Sequence, residues 1–354
     1  MFKPDCRVFE ERREIFFKKL NGKAAIIPSS SLVRHHADCE YPFRQDSNFW
    51  YLTGFDEPDS IALFLSHKPK GERFILFVAP KDILSEVWHG FRWGIEGAER
   101  EFKADKAHSI NEFKDLLPVY IGESEEIVYS IGKHTKIEKI VLEIFSQQQE
   151  ARSRVGIGAN SIKSPEIYLN EMRLIKSDFE INRMREATQI SAEAHELVRE
   201  SISSKKNERQ IQGLIEGFFL EKGARGPAYN SIVASGDNAC ILHYTSNNSD
   251  LNNGDLLLVD AGCSLIDYYN GDITRTIPIG GKFSKEQKLL YEIVLEAQKT
   301  AIENSVKGSN SSNVHNVALR ILVEGLKEIG LLSGDTDGII ENGSYKHLYM
   351  HRTG

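Results

Sequence analysis

Long apolar runs are missing from these 354 residues, and so is any excess of basic charge. No stretch approaches the roughly 20 consecutive apolar residues that a membrane-spanning helix needs. The formal net charge of -7 offers no electrostatic case for nucleic acid or an anionic membrane surface. Cysteine is sparse: Cys6, Cys39, Cys240 and Cys263 lie far apart without Cys-x-x-Cys spacing, which suggests neither a disulfide framework nor a zinc knot. Low-complexity segments and short repeats are absent, which argues against a solenoid. Residues 1–13 lack the apolar centre of a secretory signal, and their two glutamates are unlike a mitochondrial presequence. A reducing, cytoplasmic setting is therefore expected.

What is present is an ordinary globular composition, 40% hydrophobic and 27% charged, in a chain long enough for two domains with substantial cores. The first half alternates strand-like and helix-like patterns. Strands are predicted at 24–28, 61–66, 74–79 and 126–131, and helices at 7–20 and 136–146, which together make an α/β domain. Ser177 and Glu180 have capping-box spacing, so a helix is predicted from Asp178 towards Ser201. The domain boundary falls within 172–177, dividing the chain into 1–173 and 174–354. In the second half an amphipathic helix is expected over 207–222, strands over 231–234 and 241–244, and helices over 285–306 and 313–329. Ser284 and Gln287 form a second capping box ahead of the first of these.

The most informative stretch is Leu256 to Cys263 followed by Gly271 to Thr276. It reads as two short strands, each with an aspartate, joined by a turn through 264–270. Asp260 ends a fully apolar run, so its strand is expected to be buried and its carboxylate to point inward. An antiparallel return would set Asp260 and Asp272 side by side, about 5 Å apart at Cβ, where like charges repel. Buried anions need a counter-charge or take up protons, and a divalent cation between them removes the conflict. A bland alternative pairs Asp272 with Arg275 and leaves Asp260 marking a turn. On spacing alone the two readings are evenly matched.

These residues resemble a known family. Asp260-Ala261-Gly262-Cys263 with Gly271-Asp272-Ile273-Thr274-Arg275-Thr276 is similar to the first half of the dimetal site of the creatinase/aminopeptidase "pita-bread" peptidases. The segment 171–177 looks like the linker into that domain. Tyr41 to Phe55 is similar to the signature of the aminopeptidase P amino-terminal domain, and 231–236 with Cys240 to Thr245 fits the same branch. The resemblance spans the chain in the expected order. It implies an α/β amino-terminal domain plus an α+β pita-bread carboxy-terminal domain, the latter incomplete. It also implies two divalent ions, commonly manganese, held by two aspartates, one histidine and two glutamates, that activate water against a bond preceding proline.

Carried over by position, the resemblance implies metal ligation by Asp260 and Asp272. His243 and His351 would lie against the substrate or its intermediate, and Tyr229 near the metals. Trp88 is similar to a tryptophan that closes over a neighbouring subunit's site. Without the resemblance, His243 within 241–244 reads as a packed histidine, Tyr229 as a core tyrosine beside Pro227, and Trp88 as an ordinary half-buried aromatic. The implied substrates are peptides with proline in second position, and the implied assembly is a homo-dimer or homo-tetramer.

Two departures stand out. The aspartates are twelve positions apart where the family has eleven, which places an extra residue in 264–267. The chain also ends at Gly354, one position before the histidine ligand that the His351 element would supply, and the family's two glutamates lie further on. The expectation is a carboxy-terminally truncated chain with little activity of its own. A metal-free, peptidase-like binding module and a prolidase are the competing readings.

Overall fold

Period-two alternation in three fully buried strands sorts their side chains onto the two faces of one mixed sheet. The computed structural model describes residues 5–353. In the sheet the strands run in the order Lys106–Ser109, Phe74–Val78, Ile61–Leu65, Ala24–Pro28, Glu126–Val128, Ser161–Lys163. The central hydrogen-bonded pairs are antiparallel, Ala24–Pro28 with Ile61–Leu65 and the latter with Phe74–Val78; the outer ones are parallel. Ala25, Ile27, Phe64, Phe74 and Leu76 join Phe16 and Leu20 of the helix Cys6–Leu20 in one core. Ile26, Leu63, Ile75 and Phe77 face the opposite core, closed by Phe113, Leu117, Val141 and Ile144. The helix Thr135–Val155 supplies the last two.

The chain divides into two compact units, Met1–Glu186 with Leu265–Tyr269, and Ala187–Ser264 with Asn270–Gly354. The first unit therefore owns a five-residue hairpin tip from the second half of the sequence. Inside it Asp267 is buried and accepts two hydrogen bonds from Arg183, at 2.6 and 3.0 Å. Tyr268 donates to Asp56 and packs edge-on against Trp50, while the Tyr269 hydroxyl accepts from Arg12 at 2.8 Å. Glu180 reaches Ser177 as a capping box should and also meets the Arg12 guanidinium at 3.3 Å. The helices Glu166–Leu174 and Asp178–Ser201 are separated by the short link 175–177.

The second unit contains a three-stranded antiparallel sheet in the order Ile232–Ser235, Leu256–Asp260, Thr274–Pro278. The helices Glu208–Glu221, Lys285–Asn304 and Ser311–Glu328 accompany it. The last two pack through Ala297, Ala301, Ala318 and Leu322. Small side chains at the seam let helix backbones approach closely.

Two expectations fail here. No strand forms over 241–244: a 3-10 turn, Gly236–Cys240, leads into irregular backbone where the Ile241 amide donates to the Asn238 carbonyl and the Tyr244 amide to the Ile241 carbonyl, local turn bonds instead of a ladder. Nor is the Asp260 strand fully buried. Leu257 and Val259 are enclosed, while Leu256, Leu258 and Asp260 on the other face are half-buried. An antiparallel sheet covered on one side accounts for this alternation.

Candidate metal site

The helix Asp178–Ser201 builds the site from behind. Ala187, Ser191 and His195 recur every four residues on one buried stripe. The Ser191 hydroxyl accepts from the Cys263 amide at 3.0 Å and donates to the Ala187 carbonyl at 2.7 Å. His195, 5% exposed, donates from Nε2 to the Ala261 carbonyl at 3.0 Å. A carbonyl can only accept, so Nε2 carries the proton. Burial is the chief cause holding this histidine below its ordinary pKa, which keeps the ring neutral.

One register runs through the hairpin. Leu256 pairs with Pro278 and Asp260 with Thr274. The same count continues through the Ala261 amide to Ile273, Gly271 to Cys263, and Leu265 to Tyr269. The turn is therefore confined to 266–268, with Tyr268 in the left-handed region at φ 68°. A three-residue tip ending in a left-handed residue is a common hairpin connection, and pairing below it is undisturbed. This register places Asp272 opposite Gly262, not opposite Asp260. The expected direct pair is thus a diagonal one, both carboxylates on the same face but displaced by two residues, a geometry longer side chains still span.

Two glycines permit that arrangement. A Cβ on Gly262 would lie 1.9 Å from the Gly271 carbonyl oxygen, and one on Gly271 would lie 2.2 Å from the Ser191 hydroxyl. The strands and the helix approach too closely for any side chain at either position.

The carboxylates converge on Tyr229. Its hydroxyl lies 2.6 Å from Oδ1 of Asp260 and 2.8 Å from Oδ1 of Asp272, so the two oxygens are no further apart than those distances added together. Burial, then the two hydrogen bonds, push the phenol's pKa far up, so it stays protonated. Asp260 and Tyr229 are half-buried and Asp272 is exposed. Two anions thus share one neutral proton donor, and hard oxygen donors of this kind fit a hard divalent cation. Among the described residues no third histidine, cysteine, aspartate or glutamate completes a metal-binding group, and no ion pair joins Asp272 to Arg275, whose guanidinium donates to the Thr274 carbonyl.

The other sequence candidates lie apart from this pair. His243 is exposed, not packed, and directly precedes buried Tyr244. His351 is exposed and donates from Nδ1 to the Arg352 carbonyl at 2.7 Å. No described hydrogen bond connects either histidine to the aspartates. In the first unit, Trp88 is 84% exposed on the helix Ile83–His89, which buries none of its residues; the half-buried expectation fails because no described residue of that unit covers the Trp88 ring. Sequence reasoning missed Ser191 and His195, whose only signal is their four-residue spacing within a helix.

Comparison with known proteins agrees with this architecture. The model of metallopeptidase family M24 matches residues 182–354, and that of the aminopeptidase P N-terminal domain matches 9–129. The Xaa-Pro aminopeptidase of Haemophilus influenzae is 42% identical over 98% of this chain and 78% of its own length. The Escherichia coli Xaa-Pro aminopeptidase is 35% identical over 97% and 78%. Among solved structures, aminopeptidase PepP of Pseudomonas aeruginosa superposes with a TM-score of 0.92 at 35% identity, covering 99% of this chain and 79% of that one. A zinc-substituted E. coli aminopeptidase P in complex with product gives 0.91 at 34%, covering 99% and 80%. This chain, an aminopeptidase P-type amino-terminal domain followed by a pita-bread domain, belongs to the Xaa-Pro aminopeptidases of metallopeptidase family M24.

Proposed function

We propose that the chain's reaction is hydrolysis of the bond between an amino-terminal residue and a following proline, with divalent metal, manganese foremost, at Asp260 and Asp272. The observation that carries this is the convergence of both carboxylates, on one hairpin face, upon a single phenol hydroxyl. A divalent ion there would supply a Lewis acid and lower the pKa of bound water towards neutrality. Asp260 and Asp272 would hold the ion, Tyr229 would fix their orientation, and His243 and His351 would face the substrate. Trp88, exposed on its own unit, fits a role over a neighbouring subunit's site in a homo-dimer or homo-tetramer. No described helix is long and apolar enough to cross a membrane, and a cytoplasmic setting is the reading adopted. The two functional domains are taken as 1–173 and 174–354.

With two carboxylates and no third described ligand, transition-metal affinity is expected to be weak and turnover low. The test uses the 354-residue chain. Manganese binding is measured by calorimetry, and release of the first residue from an alanyl-prolyl-alanine peptide is followed in parallel. Weak binding that Asp260→Ala and Asp272→Ala each abolish is expected. Binding indifferent to both substitutions overturns the site, and vigorous turnover overturns the weak-site statement. Cleavage confined to an alanyl-proline dipeptide favours a prolidase, and metal-independent peptide capture favours a binding module.

A further inference from the structure

A buried carboxylate in the second unit, Glu208, accepts five hydrogen bonds and has no part in the site already described. Glu208 opens the helix Glu208–Glu221 immediately after its cap Asn207, and is 0% exposed. Oε1 accepts from the Ser235 amide at 2.7 Å, the Ser235 hydroxyl at 2.8 Å and the Asn238 amide group at 3.1 Å. Oε2 accepts from the Tyr244 hydroxyl at 2.8 Å and the Ser249 amide at 2.9 Å. Burial works against the anion, yet these donors outweigh it and leave its pKa below the ordinary value.

The donors are not scattered. Ser235 ends a sheet strand, Asn238 sits in the 3-10 turn, Tyr244 follows His243, and Ser249 stands near the end of the same loop. One side chain therefore clasps both ends and the middle of 236–249. The Tyr244 ring packs inward with Ile232, Ala234, Ala239 and Leu258, and its neighbour His243 is turned out to solvent. Buried Asn247 anchors the far part of the loop, accepting from the Val233 amide at 3.0 Å and donating to the Ser231 carbonyl at 2.8 Å, whereas Glu208 ties down the part around Asn238 and Tyr244.

We propose that Glu208 is a positioning residue: it sets the conformation of 236–249 and thereby the placement of His243. The functional importance of that placement rests on the reading of His243 as substrate-facing. Glu208→Gln is the diagnostic change. Each carboxylate oxygen accepts from one backbone amide, Ser235 on one side and Ser249 on the other, so wherever the new amide NH₂ points it leaves one of those N–H groups unpaired, while the hydroxyls of Ser235 and Tyr244 can turn to accept.

The experiment compares the 354-residue chain with Glu208→Gln by amide hydrogen exchange and by the ring NMR signals of His243, using His315 as reference. Exchange across 236–249 should accelerate at least about tenfold, as expected for losing a bond or more. Strands Leu256–Asp260 and Thr274–Pro278 should keep their rates, and the His243 signal should shift while that of His315 does not. A uniform acceleration over sheet and loop alike would overturn the proposal, as would an unchanged loop. Tyr244→Phe, which removes one donor and leaves the carboxylate, should give a smaller effect confined to the same loop. His243→Ala separates the underlying reading: if manganese-dependent binding of alanyl-prolyl-alanine is indifferent to it, the substrate role of His243 fails while the loop effect stands.

Discussion

Tyr229 donates to Asp260 at 2.6 Å while its oxygen also lies 2.8 Å from Asp272, so one proton mediates between two anions. A cation at the carboxylates would compete with that proton for the same oxygens. Tyr229→Phe should therefore lower metal-free stability by about 1–2 kcal/mol, chiefly the cost of leaving the half-buried Asp260 carboxylate without this donor. The deficit should narrow in saturating manganese, because binding to the native state alone adds stability by mass action. Thermal unfolding with and without manganese chloride measures both. An identical deficit in the two conditions would mean that the hydroxyl and the metal do not share the carboxylates.

The close approach at Gly262 makes a second expectation. Its added Cβ would meet the backbone oxygen of Gly271, which no side-chain rotation can relieve. Gly262→Ala should destabilise by about 3 kcal/mol or more, in the range of severe steric replacements. Gly271→Ala meets Ser191 Oγ first, with the Ala187 carbonyl behind it at 2.8 Å. Adding Ser191→Ala to it should recover part of the loss, and the same addition should do nothing for Gly262→Ala. Urea titrations of the parent, the three single variants and the two double variants decide this through the coupling energies.

How much of this was legible depended on whether a signal was local. The capping boxes at Ser177 and Ser284, with partners Glu180 and Gln287, are local hydrogen-bond patterns and are formed. The strands at 24–28, 61–65 and 74–78 are apolar runs with one buried outcome. That Asp260 and Asp272 share a face follows from their even separation and a short turn. Their diagonal offset does not, because register is set by the conformation of 266–268, where Tyr268 adopts a positive φ that its side chain does not advertise. Ile241, Leu242 and Tyr244 look like a strand, yet the loop is organised by Glu208, whose sequence signal is that of any acidic residue in a helix's first turn. Its partners are up to 41 residues away.

Arg183 and Asp267 form the buried end of the hairpin tip, with two hydrogen bonds and side chains 22% and 4% exposed. Arg183→Ala strands a carboxylate in a place water barely reaches. The expected loss is about 2–4 kcal/mol, discounted from the fully buried case because the guanidinium is partly solvated. Asp267→Asn, which retains an acceptor, should cost less. If chemical denaturation shows Arg183→Ala as mild as a surface substitution, the tip is not anchored through this pair.

His195 makes one pH dependence accessible to mutation. Its pKa is lowered from 6.5, first by burial, against the opposing hydrogen bond to the Ala261 carbonyl. Below 6.5 the unfolded chain binds a proton that the native chain resists, so the stability owed to the neutral ring is complete above 6.5 and drains away as pH falls towards the native pKa. The contribution of one such group cannot exceed about 1.4 kcal/mol per pH unit. His67, His108, His134 and His315 are also lowered, each chiefly by burial, and add to the total slope. His195→Gln isolates the one of interest, since a glutamine Nε2 can still donate to Ala261 but does not titrate. Melting temperatures from pH 8 to 5 should fall less steeply in His195→Gln than in the parent, with the curves diverging only below about 6.5. Parallel curves over that window would show that His195 takes up its proton as freely in the folded chain as in the unfolded one.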